Sequence, residues 1–185
     1  GAKANGYTIL AAETATAVTN AFLQDGVPYD FTASFIPVIP VSDTPTVLAT
    51  WAGSGVTTGT EFVARAKAEE VIYGSPLTGS LNHITGEWIA HAGGLKLKHI
   101  GYKGSAPAAT ALASGEVPFA LLAYSSAQPF VEAGEIRLLA VTGAERSALA
   151  PDLPTLSELG VGDVVTQQWT GFFLPTGTPD AIVAK

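Results

Sequence analysis

Two strand-to-helix loops hold the residues of this sequence whose types and spacing could do chemistry. The segments "YGSPLTGSLNH" (73–83) and "IGYKGSAPA" (100–108) both place small or hydroxyl residues where a helix is predicted to begin. The first N–H groups of a helix have no partner within it and carry the positive end of its dipole, so such a start can bind an anion. The alternative is an ordinary helix cap, because serine, threonine and glycine begin many helices. For a single loop of this kind the helix cap is the favoured interpretation. Because two such loops follow in succession, the anion site and the helix cap become about equally favoured.

Hydroxyl groups and glycines make up the polar part of the first loop. Hydroxyls can hydrogen-bond to a ligand, and glycines let the backbone approach it closely. The residues concerned are Ser75, Thr78, Gly79 and Ser80. In the second loop Lys103 is one of only nine basic residues, and it either adds positive potential or holds the loop by a salt bridge. Tyr124 follows a predicted strand and marks a third candidate loop at the same sheet edge.

Few residues of the chain could serve a catalytic mechanism. Gly74 and Gly79 have the spacing of a phosphate-binding loop, but the lysine of that motif is absent, since Ser80 and Leu81 follow. No G-x-S-x-G nucleophile elbow is present. Ser80 and His83 are the one nucleophile–base pair that a hydrolytic enzyme could use, and their spacing on a helix is poor for an oriented triad. We therefore predict no catalytic residue.

A metal site would have to use one face of a single predicted helix. His83, Glu87 and His91 fall at i, i+4 and i+8 on that face. They span two full turns, about 12 Å along the axis, so all three could hardly reach one ion. Capping and solvated-face roles are favoured for them, and we predict neither a metal nor a cofactor.

Composition excludes several classes of partner. Of the 185 residues 47% are hydrophobic and 14% charged, and the net charge of −7 comes without any basic run, which argues against nucleic acid or an anionic membrane surface. The chain has no cysteine for a disulfide or a thiolate site. No apolar run approaches the length of a spanning helix, and no signal peptide is visible. Because the chain begins at Gly1 and lacks methionine, we expect both ends to have been trimmed.

Strands and helices alternate from residue 46 onward. The predicted strands are 46–51, 70–74, 95–100, 117–123 and 136–143, and the predicted helices are 57–68, 79–94, 106–114 and 126–134. Thr58 and Glu61 have the spacing of a capping box at the start of the first of these helices. Such alternation indicates right-handed crossovers and a parallel sheet, so the predicted fold class is α/β.

The two ends of the chain are less regular. A strand is predicted at 6–12 and a helical stretch at 13–23, followed by the proline-punctuated segment 28–45, which we expect to cross between two lobes. Residues 150–160 are predicted to form a loop and a short helix. The aromatic segment 167–179 reads as an extended return crossover, with Trp169 in it as a candidate wall of a cleft.

The order of the motifs closely resembles the Bug family, the TctC-like periplasmic solute-binding proteins of tripartite tricarboxylate transporters. The motifs run in the order "NGYTIL", "EFVARAKA", "GSPLTGSLNH", "YKGSAPA", "LASGEV", "IRLLAVTGAERS" and "PDLPTLSELG". The resemblance covers essentially the whole chain. It implies a two-lobed, type II-like periplasmic-binding-protein fold of the Venus flytrap kind, in which each lobe has a mainly parallel sheet flanked by helices and the ligand cleft lies between the lobes.

The same resemblance implies a function without chemistry. A bacterial protein of this family captures a small organic carboxylate in the periplasm and delivers it to a membrane permease, so the signal peptide is expected to be removed or to lie outside the chain. A monomer is the expected state. Lys103 gains a third interpretation, a contact with the permease, although a general electrostatic role is favoured. The rival classes are an α/β hydrolytic enzyme and the ligand-sensing module of a signalling system.

The resemblance also assigns lobes and ligand contacts. Lobe 1 comprises 1–45 plus 168–185 and is incomplete, lobe 2 comprises 46–145, and 146–167 connects them. The predicted ligand-binding residues are Thr14, Ala15, Thr16, Ser75, Thr78, Gly79, Ser80, His83, Lys103, Gly104, Ser105, Ala106, Tyr124 and Trp169. Leu122 stands where the family often has an acid that reads an amino group, which argues against an amino-acid ligand. Gly101 replaces the usual proline.

Overall fold

The computed structural model describes residues 2–23 and 26–184, and the chain divides into two compact units. The first unit contains the residues up to Asp43 and those from Gln168 onward, whereas the second unit is Thr44–Gln167. Residues 146–167 pack within the second unit. Positions 1 and 185, the outer limits predicted for lobe 1, lie outside the described residues.

Eight strands and seven α-helices are assigned within the described ranges. The strands are β1 (Leu10–Glu13), β2 (Phe35–Thr44), β3 (Thr46–Trp51), β4 (Val71–Pro76), β5 (Leu97–Tyr102), β6 (Phe119–Ala123), β7 (Ile136–Val141) and β8 (Gln168–Pro175). The helices are α1 (Asn20–Leu23), α2 (Phe31–Ser34), α3 (Gly59–Ala68), α4 (Leu81–Gly93), α5 (Ser105–Ala113), α6 (Tyr124–Glu132) and α7 (Asp180–Val183), and one π-helical turn covers Ala15–Thr19. None of these described helices combines the length and the apolar character needed to cross a membrane.

The second unit is built on a five-stranded sheet in the order β5-β4-β6-β3-β7. β4 pairs in parallel with β5 and β6, and β3 runs antiparallel between β6 and β7. Every strand but β3 therefore points the same way, which confirms the α/β fold with its helices in the crossovers. β3 is the first strand of this unit, so no preceding helix of the unit fixes its direction. The start of β3 lies at the same edge as the carboxyl ends of the other strands.

Two hydrophobic clusters cover the two faces of this sheet. One contains Leu48 and Phe62, and the other contains Val47 and Ala49, so successive residues of β3 enter opposite clusters. A strand buried on both faces typically has an apolar run, and in β3 this run is Val47–Ala49, flanked by the buried Thr46 and Thr50. On the first face the rings of Phe62 and Phe119 meet edge-on at 4.9 Å. The packed core gives the loops at the sheet edge a rigid support.

Helix ends in this unit follow the sequence signals. The Thr58 hydroxyl accepts a hydrogen bond from the Glu61 N–H, and the Glu61 carboxylate accepts one from the Thr58 N–H, so the predicted capping box at the start of α3 is confirmed. Ser80 caps the start of α4, and Gly94 ends that helix with φ +60°, a left-handed conformation that glycine adopts without strain. The boundaries of α4 are thus set by its own sequence.

The short helix predicted within 150–160 is wrong, because this segment forms turns and one isolated β-bridge, between Thr155 and Val141. Glu158 accepts a hydrogen bond from the Thr155 N–H, and the Glu158 N–H donates back to the Thr155 hydroxyl. This reciprocal cap starts a turn, but Pro154 immediately before it and Gly160 after it leave no room for a helix.

The first unit differs more from the sequence-based expectation. Its sheet has the order β1-β8-β2, and β1 pairs antiparallel with β8 where a mainly parallel sheet was expected. Among the described residues of this unit, no crossover helix joins those two strands. The segment predicted to be an irregular crossing is α2 followed by the ten-residue β2, whose prolines are tolerated because β2 is an edge strand.

Candidate anion-binding site

Three helices begin at one edge of the second unit's sheet. α4 follows β4, α5 follows β5 and α6 follows β6. Since these strands are parallel, their carboxyl ends meet at the same edge, where ligands of α/β proteins bind. The structure thus brings the three predicted loops of this unit together. The ligand-binding role of their residues stays a prediction.

The loop from Leu77 to Ser80 uses most of its own backbone donors. The Leu77 N–H donates to the Tyr102 carbonyl at 2.8 Å, and the Ser80 N–H donates to the Leu77 carbonyl at 3.0 Å. The Gly79 N–H donates to Nδ1 of His83 at 3.2 Å. Within the described residues, the N–H of Thr78 is the loop donor without a protein partner, and Thr78 is exposed. Thr78 is therefore the backbone group of this loop that a ligand can use.

The two predicted serine hydroxyls are occupied by the protein. Ser80 Oγ accepts the His83 N–H at 3.2 Å and donates to the Pro76 carbonyl at 2.6 Å, so the cap interpretation holds for Ser80. Ser75 is fully buried, and its Oγ lies 2.7 Å from His99 Nε2 and 3.0 Å from the Pro76 carbonyl. Both hydroxyls hold the loop together in the arrangement seen here.

Two imidazole rings pack under this loop. The rings of His83 and His99 lie 4.1 Å apart between centroids with an interplanar angle of 40°. Burial, and then the neighbouring His83, hold the pKa of His99 below its ordinary value of 6.5. The Tyr73 hydroxyl donates to Glu87 Oε1 at 3.2 Å, and burial together with that carboxylate raises the pKa of Tyr73. The neutral form of the His99 ring is thus favoured beside the loop.

The loop before α5 leaves a helix start without a side-chain cap. Gly104 precedes the helix with φ +131°, a conformation that other residues rarely adopt, and it has no side chain to cap the first turn. Pro107 has no N–H to satisfy, which suits an early helical position. The N–H groups of Ser105 and Ala106, in the first turn of the helix, therefore have no side-chain cap and are available to a ligand. Lys103 beside them is exposed and forms no ion pair within the described residues.

The start of α6 also lacks a side-chain cap, because Ala123 precedes it. Tyr124 itself is fully engaged: its N–H donates to the Pro45 carbonyl at 3.0 Å and its hydroxyl donates to the Leu149 carbonyl at 3.2 Å. The next N–H of the helix belongs to Ser125. In this arrangement Tyr124 fixes the helix start on its neighbours.

The predicted residues of the first unit also come together. Thr14 lies between β1 and the π-helical turn, and its hydroxyl accepts the backbone N–H of Trp169 at 3.2 Å. The Trp169 ring packs against Phe173 at 6.1 Å between centroids. Thr16 is fixed by its carbonyl, which accepts the Tyr29 hydroxyl at 3.1 Å. Trp169, which is far away in sequence, is thus a neighbour of Thr14 and Ala15 in this unit.

The enzymatic alternative gains no support from the geometry. Ser80 donates its hydroxyl proton to the Pro76 carbonyl, and the Nδ1 atom of His83 is bound to the Gly79 N–H. These two side chains are therefore not arranged as nucleophile and base. Within the described ranges, no group of three His, Cys, Asp or Glu side chains is placed to hold a metal ion.

Two further residues, His99 and Gly101, belong to this site and were not predicted from the sequence. Both lie on β5 and reach the loop because β4 and β5 pair in parallel, with Tyr73 opposite His99 and Ser75 opposite Gly101. A Cβ added at Gly101 would lie 3.3 Å from the Thr78 nitrogen. The one sequence signal was the glycine standing where the family usually has proline.

Ligands of α/β proteins bind at the edge of a sheet where helices begin, and helix starts such as these can accept an anion. The sequence matches the family described as "Tripartite tricarboxylate transporter family receptor" over residues 1–185, so the chain belongs to this family, and the resemblance inferred from its motifs is confirmed. A UPF0065 protein of Bordetella bronchiseptica is 35% identical over 182 residues, which are 98% of this chain and 54% of that protein.

Solved structures give the same result for the fold. The R. palustris protein Rpa4515 with adipate is 33% identical and has a TM-score of 0.88, covering 99% of this chain and 62% of that chain. The periplasmic binding protein BugD is 27% identical with a TM-score of 0.83, again covering 99% of this chain and 62% of that one. The chain thus spans between half and two thirds of the length of these relatives.

Proposed function

We propose that this protein captures a small organic carboxylate in the periplasm and delivers it to the permease of a tripartite tricarboxylate transporter. Membership of the receptor family supports binding without chemistry. Rpa4515, whose structure was solved with adipate, is 33% identical to this chain, which makes a dicarboxylate the first ligand to test. The periplasmic location is proposed from the family and from the similarity to BugD, a periplasmic binding protein.

The observation that carries the proposal is the α5 helix start at the sheet edge. Gly104 supplies no side-chain cap, so the first N–H groups of α5 are open to an anion. The Thr78 N–H and the uncapped start of α6 add donors at the same edge. Hydrogen bonds to a carboxylate are roughly twice as strong as neutral ones, so a few such donors suffice. An acidic chain with a net charge of −7 needs a local device of this kind.

The remaining predicted contacts have supporting roles in this proposal. Lys103 adds positive potential beside α5, in keeping with its exposed position. Thr14, Ala15, Thr16 and Trp169 are the residues of the first unit that we propose for ligand contact. Ser75, Ser80 and Tyr124 hold their loops in shape, since their polar atoms have protein partners.

A thermal-shift screen of the full-length protein tests the proposal. The panel contains mono-, di- and tricarboxylates with adipate and malate among them, together with aromatic acids and amino acids. A ligand that binds only the folded state raises the melting temperature, and at one hundred times its Kd it adds about 2.7 kcal/mol. We expect a shift with one class of carboxylate and none with amino acids. A flat panel on folded, ligand-stripped protein would overturn the carboxylate assignment.

A further inference from the structure

The loop between β4 and α4 is shaped by a histidine that follows it. His83 lies in the first turn of α4, and its Nδ1 atom accepts the Gly79 N–H at 3.2 Å. Gly79 has φ +86°, a left-handed conformation that favours glycine. The bond to Nδ1 closes a turn that would otherwise present the Gly79 N–H to solvent. The ring therefore acts on the backbone of the loop.

The hydrogen bond defines the tautomer of the neutral ring. Nδ1 must be unprotonated to accept a hydrogen bond, so the proton lies on Nε2. Nε2 is 3.7 Å from Glu87 Oε1, the oxygen that also accepts the Tyr73 hydroxyl. The titratable groups that face the ring are Glu87 on its own helix, Tyr73 on β4 and His99 on β5.

His99 supports His83 from the sheet. Its ring stacks on that of His83 at 4.1 Å, and its Nε2 is 2.7 Å from the buried Ser75 hydroxyl. Ser75 in turn contacts the carbonyl of Pro76, where the loop begins. Both ends of the loop are thus tied to the pair of rings, Pro76 through Ser75 and Gly79 through His83.

We propose that His83 and His99 are positioning residues that set the β4–α4 loop so that the Thr78 N–H is the one backbone donor the loop offers to a ligand. The backbone of the loop then binds a single carboxylate oxygen. This replaces the sequence-based prediction that His83 touches the ligand, since His83 acts through Gly79. The inference rests on the proposed function only for the ligand being a carboxylate.

NMR of the ligand-free protein tests the positioning directly. The expected ¹⁵N shifts place the His83 proton on Nε2. His83→Leu removes the acceptor and should expose the Gly79 amide to faster exchange, whereas His83→Asn keeps an oxygen on the same Cγ and should retain protection. His91→Leu on the exposed side of α4 is the control and should leave Gly79 unchanged. A proton on Nδ1 in the wild-type protein, which needs no variant to detect, overturns the inference.

Adipate affinity, measured by calorimetry, gives the functional readout. Losing one loop hydrogen bond should weaken binding about fivefold in His83→Leu, while His83→Asn and His91→Leu should bind like the wild type. Equal binding by His83→Leu would overturn the inference. If the wild type binds neither adipate nor any other carboxylate, the proposed function fails, and the Gly79 exchange data still decide whether His83 positions the loop.

Discussion

The backbone N–H of Ser105 is the donor on which the proposed site depends most. It is the first residue of α5, directly after Gly104, and its N–H is one of the donors that an uncapped helix start leaves open. Proline is well suited to this position, because its fixed φ fits the first helical residue and the N–H it lacks is not used by the helix. A substitution here can therefore remove the donor and keep the helix.

We expect Ser105→Pro to weaken carboxylate binding about tenfold or more, since a hydrogen bond to a charged group contributes about 1.5–3 kcal/mol. Calorimetric titration with the best ligand of the thermal-shift panel measures this effect. Ser105→Ala is the matched control, because it removes the hydroxyl and retains the N–H, and it should bind nearly normally. Loss of binding in Ser105→Ala alone would assign the contact to the hydroxyl and contradict the backbone mechanism.

At the level of residues, the sequence predicted the loops better than the atoms in them. Residue type favours the hydroxyls of Ser75 and Ser80 as ligand contacts, yet both hydroxyls have partners within the protein. The donors that remain open, such as the Thr78 N–H, belong to the backbone and have no signature in residue type. His99 could not be found from sequence, because its position under the loop depends on the register between β4 and β5.

The β5 strand controls how closely the ligand loop approaches the sheet. At Gly101 an added Cβ would lie 3.3 Å from the Thr78 nitrogen and 3.4 Å from the Thr78 Oγ1 atom. Contacts this short require the loop to move by a few tenths of an ångström. The moved group would be the open donor of the loop, so this strand sets its position as well as supporting it.

We therefore predict that Gly101→Ala weakens ligand binding by about threefold to tenfold, as expected for a hydrogen bond distorted by a small shift. Calorimetry gives the affinity, and urea unfolding gives the stability, which should change by less than about 1 kcal/mol at this exposed position. Lys98→Ala on the same strand is the control for both measurements. Unchanged affinity in Gly101→Ala would mean that the loop does not need this close approach.

Elements were predictable where local signals agree with the packing. The strands and helices from β3 to β7 follow alternation and caps, and each matches its predicted position within a few residues. The direction of β3 could not be predicted, because strand pairing is decided by contacts between distant residues. In the first unit, the sequence does not predict β2 as a strand, because this segment contains prolines. Prolines are tolerated in a strand at the edge of a sheet, and the edge position of β2 cannot be seen in the sequence.

The two units of the molecule differ in how much core each contains. Every residue of both hydrophobic clusters lies between Val47 and Val164, inside the second unit. The first unit instead exposes large apolar side chains, with Tyr7 92% and Phe22 83% accessible. Stability of a domain grows with the apolar surface that it buries. We therefore expect the hydrophobic core of the second unit to be sufficient for this unit to fold by itself.

We predict that residues 44–167, produced alone, unfold cooperatively in urea and give a dispersed NMR spectrum. Hydrogen bonds hold both ends of this segment to its sheet. Near the start, the Thr46 carbonyl accepts the Thr142 N–H, and near the end, the Thr166 N–H donates to the Thr142 carbonyl. Leu48→Ala is the control for a native core, because truncating a fully buried leucine should remove about 2–5 kcal/mol. A collapsed state without specific packing would lose much less. If the segment unfolds without a cooperative transition, its fold depends on the first unit. If it folds and keeps the His83 tautomer, the ligand loop is shaped entirely by the second unit.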